Sequence, residues 1–372
     1  MILAKAALLT EAGKDVEVVD IAIHDIAPDD VVVDIVASGI CHTDLTIKMQ
    51  QGAGMKFPII LGHEGAGIVR AKGSNVNHLD VGDSVCLAYR APCGTCPSCR
   101  RHDPRRCYMA LRPKTVMTRA DNHAVCSQVL RCGTFATSTV VHGNAAIVMP
   151  TAMPLDKACL LSCGVITGVG ATMNTVSVFP GATVAVVGCG AVGLSVIQGA
   201  RLQGARQIIA VDVNPVKLGW AKEFGATDIV NAKDGDPVAI VRGLVKDDWP
   251  GYEGGVDFAF EATGVMQCIE QVVRMVNYNG TAVNIGFPGT NAEVTLNVGN
   301  IDTGLYWNKV NLRVCHCGDA LPSHDFPLLA QLYLDGRLNL DSMITHKVGL
   351  EDVEHAFHMM ETGNVIRSVM TF

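Results

Sequence analysis

The sequence predicts an α/β protein of two domains, the first mostly β and the second built on a doubly wound parallel sheet. Three observations carry this reading. At 372 residues, with 49% hydrophobic and 17% charged, the chain is long enough to bury two cores and has no disordered composition. Over the first third, Gly-Asp and Pro-Gly turn signals separate short β-type runs, which suits an antiparallel, partly barrel-like domain. From about residue 165, continuous apolar strands alternate with helical stretches, the pattern of a parallel sheet covered on both faces. The expected boundaries are 1–164 together with 313–372 for the first domain, and 165–312 for the second.

In chain order, strands are expected at 31–37 and 67–71 of the first domain. In the second, a strand at 183–187 leads to a helix from about Ala191, and a strand at 207–212 to a helix at 215–224. A strand at 256–260, a helix from about Val265 and a strand at 281–285 follow. A helix at about 326–334 and an apolar strand at 365–370, expected to dock on the first domain, end the series. No internal repeat or low-complexity segment interrupts it.

The charge of −7 is mild and spread along the chain, and no basic block points to nucleic acid. Arg100, Arg101, Arg105 and Arg106 crowd together and read as a solvated loop face. The amino-terminal Met1-Ile-Leu-Ala-Lys lacks the layout of a signal peptide, and no stretch approaches the roughly 20 apolar residues of a membrane span. A cytoplasmic location without membrane contact is therefore expected. Disulfides are rare there, so the fourteen cysteines should be thiols or metal ligands.

Cys93, Cys96, Cys99 and Cys107 are spaced C-x2-C-x2-C-x7-C. Four thiolates on short loops can close a tetrahedron around one zinc ion, and a closed all-sulfur shell makes the site structural. An iron–sulfur cluster competes, but its usual fourth cysteine carries a following proline and a different spacing. Zinc is preferred.

Gly188-Cys-Gly-Ala-Val-Gly193 directly follows an expected strand and opens a helix, with Asp212 nineteen residues beyond Gly193 at the end of the next strand. Gly188 permits the tight turn, Gly190 lets backbone approach a pyrophosphate, and Gly193 lets the helix pack on the sheet. The helix amino terminus offers free N–H groups to the phosphates. Asp212 would accept hydrogen bonds from the adenosine ribose and repel a 2′-phosphate, which favours NAD over NADP.

Cys41, His63 and Cys163 are dispersed and individually weak signals. Each sits in polar company or at a turn: Thr43 and Asp44 beside Cys41, Glu64 beside His63. The triplet Cys315-His316-Cys317 suggests another metal, but neighbouring strand residues point to opposite faces, and ordinary packing is the preferred reading.

With these motifs in family order, the chain resembles the zinc-dependent medium-chain alcohol dehydrogenases from end to end. The resemblance rests on Gly62-His-Glu-x-x-Gly67, the four-cysteine lobe, the glycine loop with Asp212, and the tail Ile366-Arg-Ser. It implies a GroES-like catalytic domain and a Rossmann domain, with two zinc ions per chain and NAD. By the resemblance, Cys41, His63 and Cys163 hold the catalytic zinc, Asp44 orients His63, Glu64 lies near the metal, and Thr43 accepts the alcohol proton. Thr167, Val192 and Ile285 would meet the nicotinamide end, Lys217 the adenosine ribose, and His42 and Arg367 the pyrophosphate.

Two departures bear on mechanism. Thr46 stands where many members place a relay histidine, and His42 where several have arginine. Within the family the look is nearest to bacterial enzymes acting on primary alcohols or on thiol adducts of formaldehyde. A small alcohol or aldehyde partner is expected. An adduct would want cationic residues at the pocket mouth, and Arg112, Lys114 and Arg119 follow the lobe, although solvated surface is the preferred reading. The long stretch between Cys107 and Cys163 suggests a homodimer, with a tetramer as the other possibility. A non-catalytic zinc- and nucleotide-binding redox sensor is the rival of another class. It would not need Thr43, Asp44 and Glu64 around an open metal position.

Overall fold

The computed structural model describes residues 1–49, 55–109, 111–245, 254–302 and 304–372. The chain divides into two units, Met1–Cys163 with Leu321–Phe372, and Gly164–Ala320. The second boundary falls later than the sequence reading of 312. Strand Asn311–Val314 hydrogen-bonds in parallel to Val276–Asn284, so it closes the second sheet instead of opening the returning segment. Its four residues are all exposed, and Leu312 and Val314 give too short an alternation to mark a strand in the sequence.

The first unit holds two sheets. One runs in the order Met117–Arg119, Glu17–Ile23, Ile2–Leu9, Ile59–Ile60, Ser127–Gln128. The other runs Ala146–Val148, Ser84–Leu87, Glu64–Lys72, Asp30–Ile40, Arg367–Thr371, Ile344–Val348, with Ser138–His142 also pairing Asp30–Ile40. The carboxyl-terminal strand Arg367–Thr371 therefore lies inside the sheet, antiparallel to Asp30–Ile40, with Ser368 opposite Ile40. That register sets Arg367 beside the end of the strand that leads into Cys41. The docking expected of the tail is what the structure contains.

The second unit is a six-stranded sheet in the order Asp228–Asn231, Gln207–Asp212, Thr183–Val187, Val256–Glu261, Val276–Asn284, Asn311–Val314. Every pairing is parallel. All five residues of Thr183–Val187 are buried, as a central strand covered on both faces must be. Burying each valine there contributes about 1.5–3 kcal/mol. Order reverses at Thr183–Val187, where one crossover leads toward Gln207–Asp212 and later ones build away toward Val256–Glu261, leaving a switch point at the carboxyl ends of the strands. Helix Ala191–Leu202 begins there, and Asn214 caps helix Pro215–Phe224 by accepting from the Val216 N–H at 2.9 Å.

Candidate active site

In the first unit, strand Asp30–Ile40 runs directly into Cys41 and helix His42–Met49, while His63 and Glu64 stand at the start of strand Glu64–Lys72. Cys163 follows the turn Cys159–Ser162. These segments bring one donor atom each from Cys41, His63, Glu64 and Cys163 within 4.8 Å of one another. The three donors that stand 22 and 100 residues apart in sequence thus share one small volume.

Asp44 organises it. The carboxylate is fully buried and accepts from the Cys41 N–H at 3.2 Å and the Gly62 N–H at 3.0 Å, and it meets His63 Nδ1 at 3.2 Å. A carboxylate only accepts, so Nδ1 carries a proton; burial opposes the imidazole's charge, but the Asp44 carboxylate raises His63 well above the ordinary imidazole range, and Nε2 is the nitrogen left to lose its proton to a bound ion. His63 Nε2 is buried and has no hydrogen-bond partner. An orphaned imidazole nitrogen facing two cysteine sulfurs, with a carboxylate behind it, is the donor arrangement of a zinc site, and these residues fit that ion. The Tyr89 ring meets His63 edge-on at 5.7 Å and steadies its plane.

Electrostatics favour anionic sulfur at this point. Cys41 is held well below the ordinary thiol range by its hydrogen bond to Cys163, which with the Arg367 guanidinium outweighs burial. Burial pushes Glu64 up to about 7, against the pull of Arg367. Glu64 Oε1 accepts from Arg367 Nη2 at 2.7 Å, while the buried Oε2 has no hydrogen-bond partner. Gly39 makes this possible: a Cβ there would lie 2.2 Å from Oε2. Arg367, only 6% exposed, also donates to the Ile40 carbonyl at 3.1 Å. Arg367, which the resemblance sets near the pyrophosphate, pairs with Glu64 through Nη2. His42 is exposed, and Thr43 Oγ1 lies 3.7 Å from Cys41 Sγ.

The cysteine lobe is a second donor cluster. Cys93, Cys96, Cys99 and Cys107 sulfurs all lie within 4.8 Å of one another. Bonds of about 2.3 Å to a shared ion place tetrahedral sulfurs about 3.8 Å apart. The Cys96–Cys107 and Cys107–Cys93 separations are 3.9 and 3.7 Å, too long for disulfides and right for zinc. None of the fourteen cysteines, all of them among the described residues, forms a disulfide. Among the described residues, only these two groups have metal-site geometry. Cys315 and Cys317 are buried while His316 is exposed, so that triplet does not converge. Arg119 pairs with Asp121 and Glu17, Lys114 with Asp29, and Arg106 with Asp103. Lys114 and Arg106 lie on the surface, whereas the Arg119 side chain is only 16% exposed, and Arg105, expected on a solvated loop face, is drawn instead onto the buried Asp325.

In the second unit the glycine loop has the expected form. Gly188 has φ +94°, and a Cβ on Gly193 would lie 1.8 Å from the Gly188 carbonyl oxygen. A Cβ on Gly190 would meet nothing within 4 Å, which leaves open space over the backbone at the start of helix Ala191–Leu202. Asp212 Oδ2 accepts from the Cys189 N–H at 2.8 Å and Oδ1 from the Asn214 N–H at 2.9 Å. Its carboxylate thereby joins the loop to the second strand and retains lone pairs for a ribose. A Cβ at Gly168 would strike the Val192 carbonyl at 2.4 Å, so Gly168 seats the helix bearing Thr167 against Val192. The Ile285 N–H bonds the Glu261 carbonyl at 2.9 Å, fixing it at the carboxyl end of the sheet. Lys217 lies half-buried in helix Pro215–Phe224.

Sequence reasoning did not find Gly39, Tyr89 or the Glu64–Arg367 pair. Each acts through a contact distant in sequence, and none lies in a spaced motif.

Comparison with known proteins agrees with this geometry. Residues 27–151 match the alcohol dehydrogenase GroES-like domain and residues 191–335 the zinc-binding dehydrogenase domain. An S-(hydroxymethyl)glutathione dehydrogenase of Komagataella pastoris is 35% identical, the match covering 100% of this chain and 98% of the relative. A class-3 alcohol dehydrogenase of Cereibacter sphaeroides is 35% identical over 99% of both. Benzyl alcohol dehydrogenase from Acinetobacter calcoaceticus superposes with a TM-score of 0.90 at 30% identity over the whole of both chains. A zinc-binding alcohol dehydrogenase domain protein from Burkholderia ambifaria gives 0.92 at 31%. With full-length similarity and both donor clusters in place, the chain belongs to the zinc-binding alcohol dehydrogenase family.

Proposed function

We propose that this protein is an NAD-dependent dehydrogenase that reversibly oxidises a primary alcohol to its aldehyde. The observation that carries the reading is the orphaned His63 Nε2 between two cysteine sulfurs, an incomplete donor shell with a place for a substrate oxygen. When bound, zinc supplies Lewis acidity that makes an alcohol hydroxyl far more acidic, and the nicotinamide supplies the hydride acceptor.

The residues then have distinct tasks. Cys41, His63 and Cys163 hold the ion, and Asp44 fixes the imidazole so that Nε2 faces it. The Thr43 hydroxyl takes the hydroxyl proton. Thr46 has no ionisable side chain, so the proton leaves through solvent or a coenzyme hydroxyl. Glu64, braced by Arg367, stands ready to contact the ion when other donors exchange. The Cys93, Cys96, Cys99 and Cys107 lobe holds a structural zinc. Asp212 and Lys217 bind the adenosine ribose, and Gly188, Gly190 and Gly193 bring backbone N–H groups to the pyrophosphate. His42 lies toward the phosphates; Thr167, Val192 and Ile285 line the nicotinamide end.

A second substrate reading, the S-hydroxymethyl adduct of a thiol, has support from the relatives that bear that name at 35% identity. We also propose a cytoplasmic homodimer, since the exposed strand Asn311–Val314 leaves a sheet edge that a second copy can pair with. Among the described residues no single helix is long and apolar enough to cross a membrane.

The deciding experiment is NADH formation by the zinc-loaded protein with a panel of primary alcohols, run beside formaldehyde plus glutathione. Turnover of simple alcohols without thiol supports the first reading. Turnover only with the adduct supports the second, and turnover of neither overturns both.

A further inference from the structure

Glu261 ends the strand Val256–Glu261 and is fully buried. Glu64, the other fully buried glutamate, has Arg367 as its partner, but among the described residues no lysine, arginine or histidine forms an ion pair with Glu261. A buried carboxylate without a cation is costly unless hydrogen bonds satisfy both oxygens. Here they do. Oε1 accepts from the Thr263 N–H, the Thr263 hydroxyl and the Gly264 N–H, the last at 2.7 Å. Oε2 accepts from the Gly286 N–H at 3.2 Å. An apolar side chain at this place would carry no desolvation cost, so burial alone does not account for an acid.

The donors come from two loops that follow adjacent strands, where Val187, Glu261 and Asn284 lie side by side at the carboxyl end of the second unit's sheet. Gly286 follows Ile285, whose own N–H bonds the Glu261 carbonyl at 2.9 Å. Thr263 reaches the glycine turn on the opposite side. A Cβ on Gly188 would lie 2.6 Å from Thr263 Cγ2, so the threonine methyl packs on that turn. The Ala262 N–H donates to the Val187 carbonyl at 2.8 Å, tying the same loop to the strand that leads into the turn. The two loops touch backbone to backbone, since a Cβ on Gly286 would lie 2.1 Å from the Gly264 nitrogen. One carboxylate therefore links Ile285 to the turn at Gly188, two places whose sequence positions lie about 100 residues apart.

We propose that Glu261 is a positioning residue of the coenzyme site: it holds the nicotinamide end at Ile285 and the pyrophosphate turn at Gly188 at one fixed spacing, so that a single dinucleotide meets both. This rests on the coenzyme part of the dehydrogenase reading and adds to it a residue that itself touches no ligand. The adenosine end is held separately, through Asp212, which bonds the Cys189 and Asn214 N–H groups.

The test measures AMP, ADP-ribose and NADH binding to the zinc-loaded protein and to its Glu261→Gln and Thr263→Ser variants, by calorimetry and, for NADH, by fluorescence. In Glu261→Gln the amide oxygen stays where three donors converge, which turns the amide NH2 toward the Gly286 N–H, donor against donor. NADH should bind about tenfold more weakly, as one charge-assisted bond is replaced by a mismatch, while AMP and ADP-ribose stay within about twofold. Thr263→Ser keeps the hydroxyl and removes the methyl that packs on Gly188, so ADP-ribose and NADH should weaken together, by about threefold, with AMP unchanged. Thermal melts show whether each variant is folded. Equal weakening of all three ligands in Glu261→Gln marks a general structural role and overturns the proposal, and so does unchanged NADH binding. If Glu261→Gln does not fold, Thr263→Ser decides: selective loss of the two larger ligands supports the proposal, and uniform or absent loss overturns it. A parent protein that binds none of the three defeats the coenzyme reading and this inference with it. A parent that binds NADH, with unselective variants, defeats this inference alone.

Discussion

Asp44 reaches three groups of the candidate metal centre without being a donor to the ion, and that makes it the most informative single residue. Asp44→Asn keeps the shape but can present an N–H to His63 Nδ1, which favours the wrong tautomer. Zinc affinity should drop about 10–100-fold, read by competition with a chromogenic chelator. Cys41→Ser removes a thiolate outright, so zinc should fall from about two to about one per chain and turnover should vanish. Retention of both ions would refute the assignment. The same residues show the limits of sequence reading. The lobe cysteines lie within fifteen positions, so spacing alone identified them. Cys41, His63 and Cys163 were legible only through the likeness of their surrounding motifs. Gly39 was not legible, because its meaning is the Glu64 oxygen that would lie 2.2 Å from an added Cβ.

Among elements, the strand–loop–helix unit of Thr183–Val187 and Ala191–Leu202 gives a paired prediction from its glycines. Gly193→Ala would force a methyl to within 1.8 Å of the Gly188 carbonyl, so the loop must deform and both melting temperature and NADH affinity should fall. Gly190→Ala meets no protein atom within 4 Å, so melting of the free protein should hardly change while NADH binding weakens. Fluorescence titration with NADH and thermal melts separate the two. If Gly190→Ala bound NADH normally, the open space over the loop would not be the pyrophosphate seat. Asp212→Ala should shrink the preference for NAD over NADP; an unchanged ratio of coenzyme efficiencies would refute the ribose role. This region was the most legible in the sequence, because apolar strands, glycine spacing and an acidic strand end all constrain one another locally. Strand Asn311–Val314 was missed because an exposed edge lacks the burial periodicity that marks the others.

For the whole molecule, the returning segment is tied to the lobe. Arg105 Nη1 and Nη2 meet Asp325 Oδ2 and Oδ1 at 2.5 and 3.0 Å. Burial alone would raise the Asp325 carboxyl, but Arg105, His324 and the Leu321 N–H hold it below the usual carboxylate range. A depressed pKa contributes stability above the unfolded value of about 3.9 and loses it as pH falls toward the folded one. Asp325→Asn should therefore lower the melting temperature at neutral pH, and its gap from the parent protein should narrow below about pH 4. A constant gap would remove the charge from the explanation. Cys99→Ser should likewise cost stability more than chemistry, seen as earlier melting with one zinc lost.

Arg367 and Glu64 pair across 303 residues of chain. At about 5–20 residues per second, a ribosome delivers the guanidinium roughly 15–60 s after the carboxylate. Throughout that interval the nascent first unit also lacks a strand of its larger sheet, the one beside Asp30–Ile40. Half-made chains thus have reason to stay open at their own metal pocket, and stalled translation products should be strong clients for chaperones and proteases.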